Sequence, residues 1–255
     1  MSAGALVRDL KVEIATRGGR GSPRVTGLAG VDLTLGRGEV TALMGESGCG
    51  KSLVAVALCG LLPPGCQVSG HVEIDGEAIA PNDEKRWRQI RGRRVGLIPQ
   101  SPATSFTPVR TVGSQLEECI RVLGGTRSAS SLAQLVELPT AALELFPHEL
   151  SGGMAQRAAI AAALAGNPSV VVADEPTSAL DPHLAAATWE LLRSVADTGA
   201  AVLVITHDVR TLFAQKICDS VALMRSGRIV AAGTPTSVVG IDEPYVSQFF
   251  DGIPA

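Results

Sequence analysis

Gly45, Gly50, Lys51 and Ser52 stand in the spacing Gly-x-x-x-x-Gly-Lys-Ser, inside the octapeptide GESGCGKS. Residues 39–44 before it read as a strand, and residues 52–62 after it read as a helix that Pro63 and Pro64 end. That context is what a phosphate-binding loop needs. Glycines let the backbone N–H groups of Glu46, Ser47, Gly48, Cys49 and Gly50 wrap negative charge at a helix N-terminus. Lys51 can reach terminal phosphates and Ser52 can ligate magnesium. Cys49 reads as a small filler of the loop and not as a nucleophile, because phosphoryl transfer needs no thiolate.

A second group of chemical residues sits at the ends of apolar runs. Residues 170–173 (VVVA) lead into Asp174 and Glu175, which a buried sheet would deliver to its carboxyl edge. There Asp174 suits indirect magnesium coordination and Glu175 suits polarising an attacking water, although two acids after a strand can also cap a helix. Residues 202–206 end at His207, a candidate contact for a terminal phosphate or its water; a histidine there can equally be a structural hydrogen bonder. In LSGGMAQR, Ser151, Gly152 and Gly153 open a helix whose free N–H groups could face an anion or serve as an ordinary N-terminus. A single nucleotide has no need of two such helix starts from one chain.

The elements that must position these residues come in two styles. Residues 6–14 and 31–35 read as short strands of an antiparallel layer, with a Gly-rich loop over 17–24 between them and a hairpin over 72–79 turning at Asp75 and Gly76. Residues 95–98, 170–173, 201–206 and 220–224 read as further strands, with helices over 183–197 and 209–216. Fully apolar strands alternating with helices imply a buried parallel sheet, and the helical pattern over 112–165 interrupts it. The expected fold is α/β: a phosphate-loop NTPase core with a mainly parallel sheet, an N-terminal antiparallel β subdomain and an inserted helical subdomain. One domain, 1–255, divides into an α/β core (1–99 and 159–255) and a helical part (100–158).

Composition narrows the partners. The chain has 255 residues, 22 Lys plus Arg against 25 Asp plus Glu, and a net charge of -3, which argues against a nucleic-acid partner. Its apolar content excludes disordered and fibrous classes. Cys49, Cys59, Cys66, Cys119 and Cys218 form no Cys-x-x-Cys pair and read as free thiols in a reducing compartment. Charges at Arg8, Asp9, Lys11 and Glu13 break any signal-peptide core, and the longest apolar runs, 53–62 and 158–165, fall short of the ~20 residues a membrane span needs. A chain that neither crosses a membrane nor is secreted is the expectation.

Taken together, these residues resemble the ATP-binding cassette (ABC) ATPases. GESGCGKS is similar to their Walker A, Gln100 to their Q-loop glutamine, LSGGMAQR to their signature, VVVADE to their Walker B, SALD (178–181) to their D-loop, and THD with His207 to their switch histidine. The resemblance implies ATP and Mg2+ as cofactors, with Gln100 and Asp181 added to the nucleotide contacts and Gln100 joining Ser52 and Asp174 around the metal. It implies Glu175, His207 and Lys51 as the catalytic set. It also implies that two ATPase subunits clamp two ATP molecules head to tail, Ser151, Gly152 and Gly153 of one completing the Lys51 site of the other. Residues 101–115 are then the expected contact with a permease. The family places an aromatic on adenine before the phosphate loop; here the matching position is Ile14, so a base contact without a π face, and weak preference between ATP and GTP, are expected.

Within the family, IRGRRVGLIPQSPATSFTP and FPHELSGGMAQR look most like bacterial peptide and nickel importers. Implied partners are a second ATPase, homologous or identical, two membrane permeases and an extracytoplasmic solute-binding protein, with the ATPase peripheral on the cytoplasmic face of the membrane. Many peptide-importer ATPases carry an additional C-terminal segment with cysteines, so an end at Ala255 points toward the shorter nickel or metallophore branch. An exporter ATPase, or a soluble ABC ATPase acting on nucleic acid or ribosomes, is the alternative. The basic stretch KRWRQIRGRR (85–94) reads as a solvated helix face, and Tyr245, Phe249 and Phe250 as anchors docking the C-terminal region on the core.

Overall fold

Every residue of β3 (Val40–Gly45) and β8 (Ala201–Ile205) is buried, the pattern of strands covered on both faces. They are the middle of a six-stranded sheet ordered β10-β9-β3-β8-β7-β6 in the computed structural model, which describes residues 3–15, 23–102, 105–178 and 180–252. β6 (Val95–Ile98), β7 (Val170–Asp174), β8, β3 and β9 (Ser220–Arg225) pair in parallel. Alternate residues of each strand feed opposite faces: Val40, Ala42 and Met44 join one core cluster, while Leu43 joins the other.

β10 (Arg228–Gly233) runs antiparallel to β9 and was not anticipated from sequence. The two strands connect through Ser226 and Gly227, both at positive φ (48° and 76°), the geometry of a two-residue hairpin. A second, antiparallel sheet is ordered β2-β1-β4-β5, from β1 (Ala3–Ala15), β2 (Arg24–Gly36), β4 (Gln67–Ile74) and β5 (Glu77–Ile79). The expected hairpin at Asp75 and Gly76 is present. β2 starts far earlier than the expected 31–35, because Arg24 and Val25 pair with Ala15 and Ile14. Residues 17–22 of the expected Gly-rich loop lie outside the described residues.

α1 (Lys51–Leu58) stops well before Pro63. Gly60 ends it, in the left-handed region at φ 62°, and the Trp87 ring fills the space a side chain there would need. Helices then run between β6 and β7: α3 (Val112–Leu123), α4 (Ala129–Leu135) and α5 (Gly152–Ala163), capped by Thr111, Ser128 and Ser151 hydroxyls. The expected boundary at 158/159 falls inside α5. α6 (Pro182–Asp197), α7 (Val209–Ala214), α8 (Pro235–Val239) and α9 (Pro244–Phe249) complete the chain, and among the described residues no helix is long and apolar enough to cross a membrane.

The basic stretch forms α2 (Glu84–Ile90), which buries Trp87 and Ile90 and turns its charges outward. Arg86 pairs with Glu77, Arg88 and Arg91 with Glu84, and Arg94 with Asp75 and Glu77. At the other end of the chain Tyr245 and Phe250 are buried, and Phe250 stacks on Phe213 of α7 with centroids 5.9 Å apart. The docking expected of these aromatics is observed.

Candidate active site

Parallel register brings the chemical residues together. Leu43 pairs with Ile205, Ile205 with Asp174, and Ala173 with Ile98, so four strands end at one level of the sheet. Parallel strands share a direction, and the segments that follow them therefore leave from one edge: the 45–52 loop after β3, Gln100 after β6, Asp174 and Glu175 at β7, and His207 after β8.

The loop after β3 turns at Gly45, whose φ of 144° and close approach to the Met224 carbonyl leave no room for a side chain. Lys51 is 6% exposed and folds back across the loop, its Nζ donating to the Gly45 carbonyl at 2.8 Å and the Glu46 carbonyl at 2.9 Å. Glu46, Ser47 and Gly48 are exposed. Gly50 precedes α1 and supplies no side-chain cap, so the first-turn N–H groups meet no side-chain acceptor there. The Cys49 N–H closes a turn onto the Glu46 carbonyl at 3.3 Å, and this exposed turn over 46–48, a helix start and a buried ammonium make a receptor for a polyanion. Cys49 is buried beneath Gly45, as a filler should be.

Across the edge, the Ser52 hydroxyl donates to Asp174, and burial raises the Asp174 carboxyl above its ordinary value against the pull of Ser52 and Lys51. Asp174 Oδ1 is buried with no hydrogen-bond partner among the described residues. An orphaned carboxylate oxygen beside a hydroxyl and a phosphate-type loop is a donor set that fits Mg2+, an ion commonly held by one or two carboxylates together with substrate phosphates. Among the described residues no group of three His, Cys, Asp or Glu could hold a metal ion.

Glu175 carries a left-handed backbone (φ 49°), fixed by its N–H donating to the Ile205 carbonyl at 2.9 Å. Its Oε1 lies 3.0 Å from His207 Nε2. Burial raises the Glu175 carboxyl, while His207 and Lys51 pull it down and Asp174 pushes it up. A buried carboxylate with raised proton affinity beside an exposed imidazole can accept a proton from water. A cavity of about 630 Å³ opens from this pair along Thr177, Ser178, Thr211 and Gln215.

Gln100 is exposed and lines a second cavity of about 320 Å³ with Glu175, Gly152 and Gln156. Gln156 went unnoticed as a candidate; it is 3% exposed and its Nε2 has no partner among the described residues, a buried amide in an otherwise Ala-rich helix being the sequence signal. At the signature, Ser151 caps Met154 N–H, Gly152 is exposed with open space around it, and Gly153 is buried against Leu184 of α6. Asp181 accepts from the His183 and Leu184 amides, so in this chain its carboxylate caps α6; Ala179 of the same loop lies outside the described residues. Ile14, partly buried, meets Leu53 of α1 at Gly27, one turn from the phosphate loop.

Comparison with known proteins adds the family. A model described as "ABC transporter" matches residues 28–178, more than half of the chain. The "Probable peptide ABC transporter ATP-binding protein y4tR" of Sinorhizobium fredii is 37% identical over 97% of this chain and 76% of its own. The "Oligopeptide transport ATP-binding protein OppD" of Bacillus subtilis is 38% identical over 89% of this chain, which spans 65% of that protein. Among solved structures, a dimeric ATP-binding cassette in a post-hydrolysis state, bound to ADP and Pi, is similar with a TM-score of 0.77 and 27% identity, covering 90% of this chain and 98% of its own.

Proposed function

The chain belongs to the ABC transporter family, and from that premise we propose that it is the ATP-hydrolysing subunit of a bacterial importer, driving uptake of short peptides through partner permeases. One observation carries this reading: Lys51 with its loop, Asp174 with an orphaned oxygen, and the Glu175–His207 pair converge at one sheet edge. Peptides stand ahead of nickel because relatives that align with most of this chain, at 37% and 38% identity, are named for peptide transport.

In this reading the exposed loop over 46–48 receives the phosphates of ATP, and Lys51 turns from the Gly45 and Glu46 carbonyls to the terminal phosphate. Ser52 and Asp174 would hold Mg2+, which would neutralise phosphate charge when bound. Glu175 takes a proton from the attacking water, and His207 holds the Glu175 carboxylate in place. Ile14 and Leu53 offer an aliphatic face to the base. A second, homologous ATPase contributes Ser151, Gly152 and Gly153 to this site, and Gln100 links it to residues 101–115. The single domain 1–255 works as an α/β part (1–99 and 159–255) and a helical part (100–158), with α5 shared across the second boundary.

A further cavity of about 300 Å³, walled by Leu61, Leu97, Phe106, Cys119 and Ala162, supports permease docking beside residues 101–115, of which 103 and 104 lie outside the described residues. It would hold the chain at the cytoplasmic face of the membrane, with a solute-binding protein on the opposite side. Co-purification of the full chain with its membrane partners, followed by ATPase assays with peptide-loaded and nickel-loaded receptor, tests the reading. Stimulation by peptide is expected; stimulation by nickel alone would move the cargo, and no association with membrane proteins would remove the importer.

A further inference from the structure

α9 carries the only tyrosine of the chain, and that residue is 7% exposed. The Tyr245 hydroxyl donates to the Met224 carbonyl at 3.3 Å, and the Glu46 N–H faces the same hydroxyl. The Arg225 guanidinium lies over the ring, 4.4 Å from its centroid. Met224 is the β9 residue opposite Gly45, where β3 leaves the sheet, and its carbonyl occupies the space that forbids a side chain on Gly45. The hydroxyl thus braces the carbonyl against which the strand turns into the phosphate loop.

Lys51 braces the same turn from the other side, through the Gly45 and Glu46 carbonyls. An ammonium has three donors and two already serve these carbonyls, so engagement by two phosphate oxygens costs it at least one of them. The tyrosine is not subject to that exchange. It is fixed from behind by ring contacts running Tyr245–Phe249 (6.3 Å), Phe249–Phe250 (5.1 Å) and Phe250–Phe213 (5.9 Å), and Phe213 belongs to α7, whose cap Asp208 follows His207.

We propose that Tyr245 is a positioning residue for the nucleotide: through the Met224 carbonyl and the Glu46 amide, its hydroxyl keeps the start of the phosphate loop in shape once Lys51 turns to the ligand. The proposal rests on the reading of this site as an ATP site. It implies an asymmetry: without nucleotide Lys51 and the hydroxyl hold the turn together, whereas with nucleotide the hydroxyl carries the larger share.

Tyr245→Phe in the full chain removes the hydroxyl and keeps the ring. Mg-ATP binding by titration calorimetry should weaken about three- to tenfold, the worth of one hydrogen bond. The KM for ATP should rise by the same factor with kcat within about twofold, while the melting temperature of the nucleotide-free protein stays within about 2 °C and the extra melting shift given by ATP shrinks. Unchanged ATP affinity overturns the proposal, as does a fall in nucleotide-free melting temperature that accounts for the whole effect. A wild-type chain that binds no Mg-ATP would overturn the nucleotide reading itself, and this proposal with it.

Discussion

Around α2 four guanidinium groups each meet a carboxylate, and the carboxylates respond: Glu77 is drawn down to about 2 by hydrogen bonds from Arg86 and Arg94, and Glu84 to about 2 by Arg91 and Arg88. At the carboxyl edge of the parallel sheet the acids behave oppositely. Asp174 and Glu175 are both raised, burial being the leading cause, and one Asp174 oxygen has no hydrogen-bond partner among the described residues. Both clusters are dense in charge, so charge density does not separate machinery from scaffold. The difference is completion: the α2 cluster closes on itself, while the sheet edge keeps a carboxylate oxygen unpaired among the described residues, a helix start with no side-chain cap and a strained Glu175 backbone.

The sharpest way to break this contrast is to remove the charge at Glu175. Glu175→Gln should lower ATP turnover about a hundred- to ten-thousandfold, the range of a general base, while ATP still binds and drives a stable dimer on gel filtration. Normal turnover in that variant would place Glu175 with the scaffold acids. The reverse change at the other cluster, Glu84→Gln, should leave turnover within about twofold, since Glu84 serves Arg88 and Arg91 in an exposed network.

A smaller effect separates two adjacent glycines. Gly153 is packed on Leu184 of its own chain, so a side chain there would damage the fold. Gly152 has open space around it and is exposed at the start of α5, so nothing among the described residues requires it to be glycine. Gly152→Ala should keep the melting temperature within about 2 °C, yet lower ATP turnover roughly tenfold if this helix start closes on the partner's nucleotide. Full activity in Gly152→Ala would confine the signature to a structural role.

Much of this edge was legible because its residues come in short runs. GESGCGKS, VVVADE and THD each carry their own strand end, and parallel pairing then needs no further information to align them. What escaped depends on distant partners. β10 is set by a hairpin at Ser226 and Gly227 that no apolar alternation announces, and α1 ends where Trp87, far along the chain, needs the space beside Gly60. The role of Asp181 as a cap, and the meeting of Tyr245 with Met224, are likewise contacts and not patterns.

The base site should show a milder difference still. If Ile14 and Leu53, which meet at Gly27, take part of the base as proposed, they do so without an aromatic face, and the ATP and GTP Michaelis constants should lie within about tenfold of each other. Ile14→Tyr should tighten both nucleotides by about tenfold at most, as judged by competition binding. A hundredfold preference for ATP in the native chain would mean that polar contacts to the base edge outweigh this face.

The smallest expected effect tests the closed cluster itself. Glu77 has its carboxyl lowered from 4.5 to about 2 in the folded chain, so its pairing with Arg86 and Arg94 adds stability that is fully present above the unfolded value and is lost as pH falls through the folded one. Glu77→Gln should therefore lower the melting temperature at pH 7, by no more than about 2 °C because the pair is exposed to solvent. The gap between native and variant should narrow as pH drops from about 4.5 toward about 2. It should also narrow at 1 M salt, where the screening length is about 3 Å. A gap that persists in acid would mean that Glu77 contributes through packing, and the α2 cluster would then no longer be the electrostatic counterweight to the open edge.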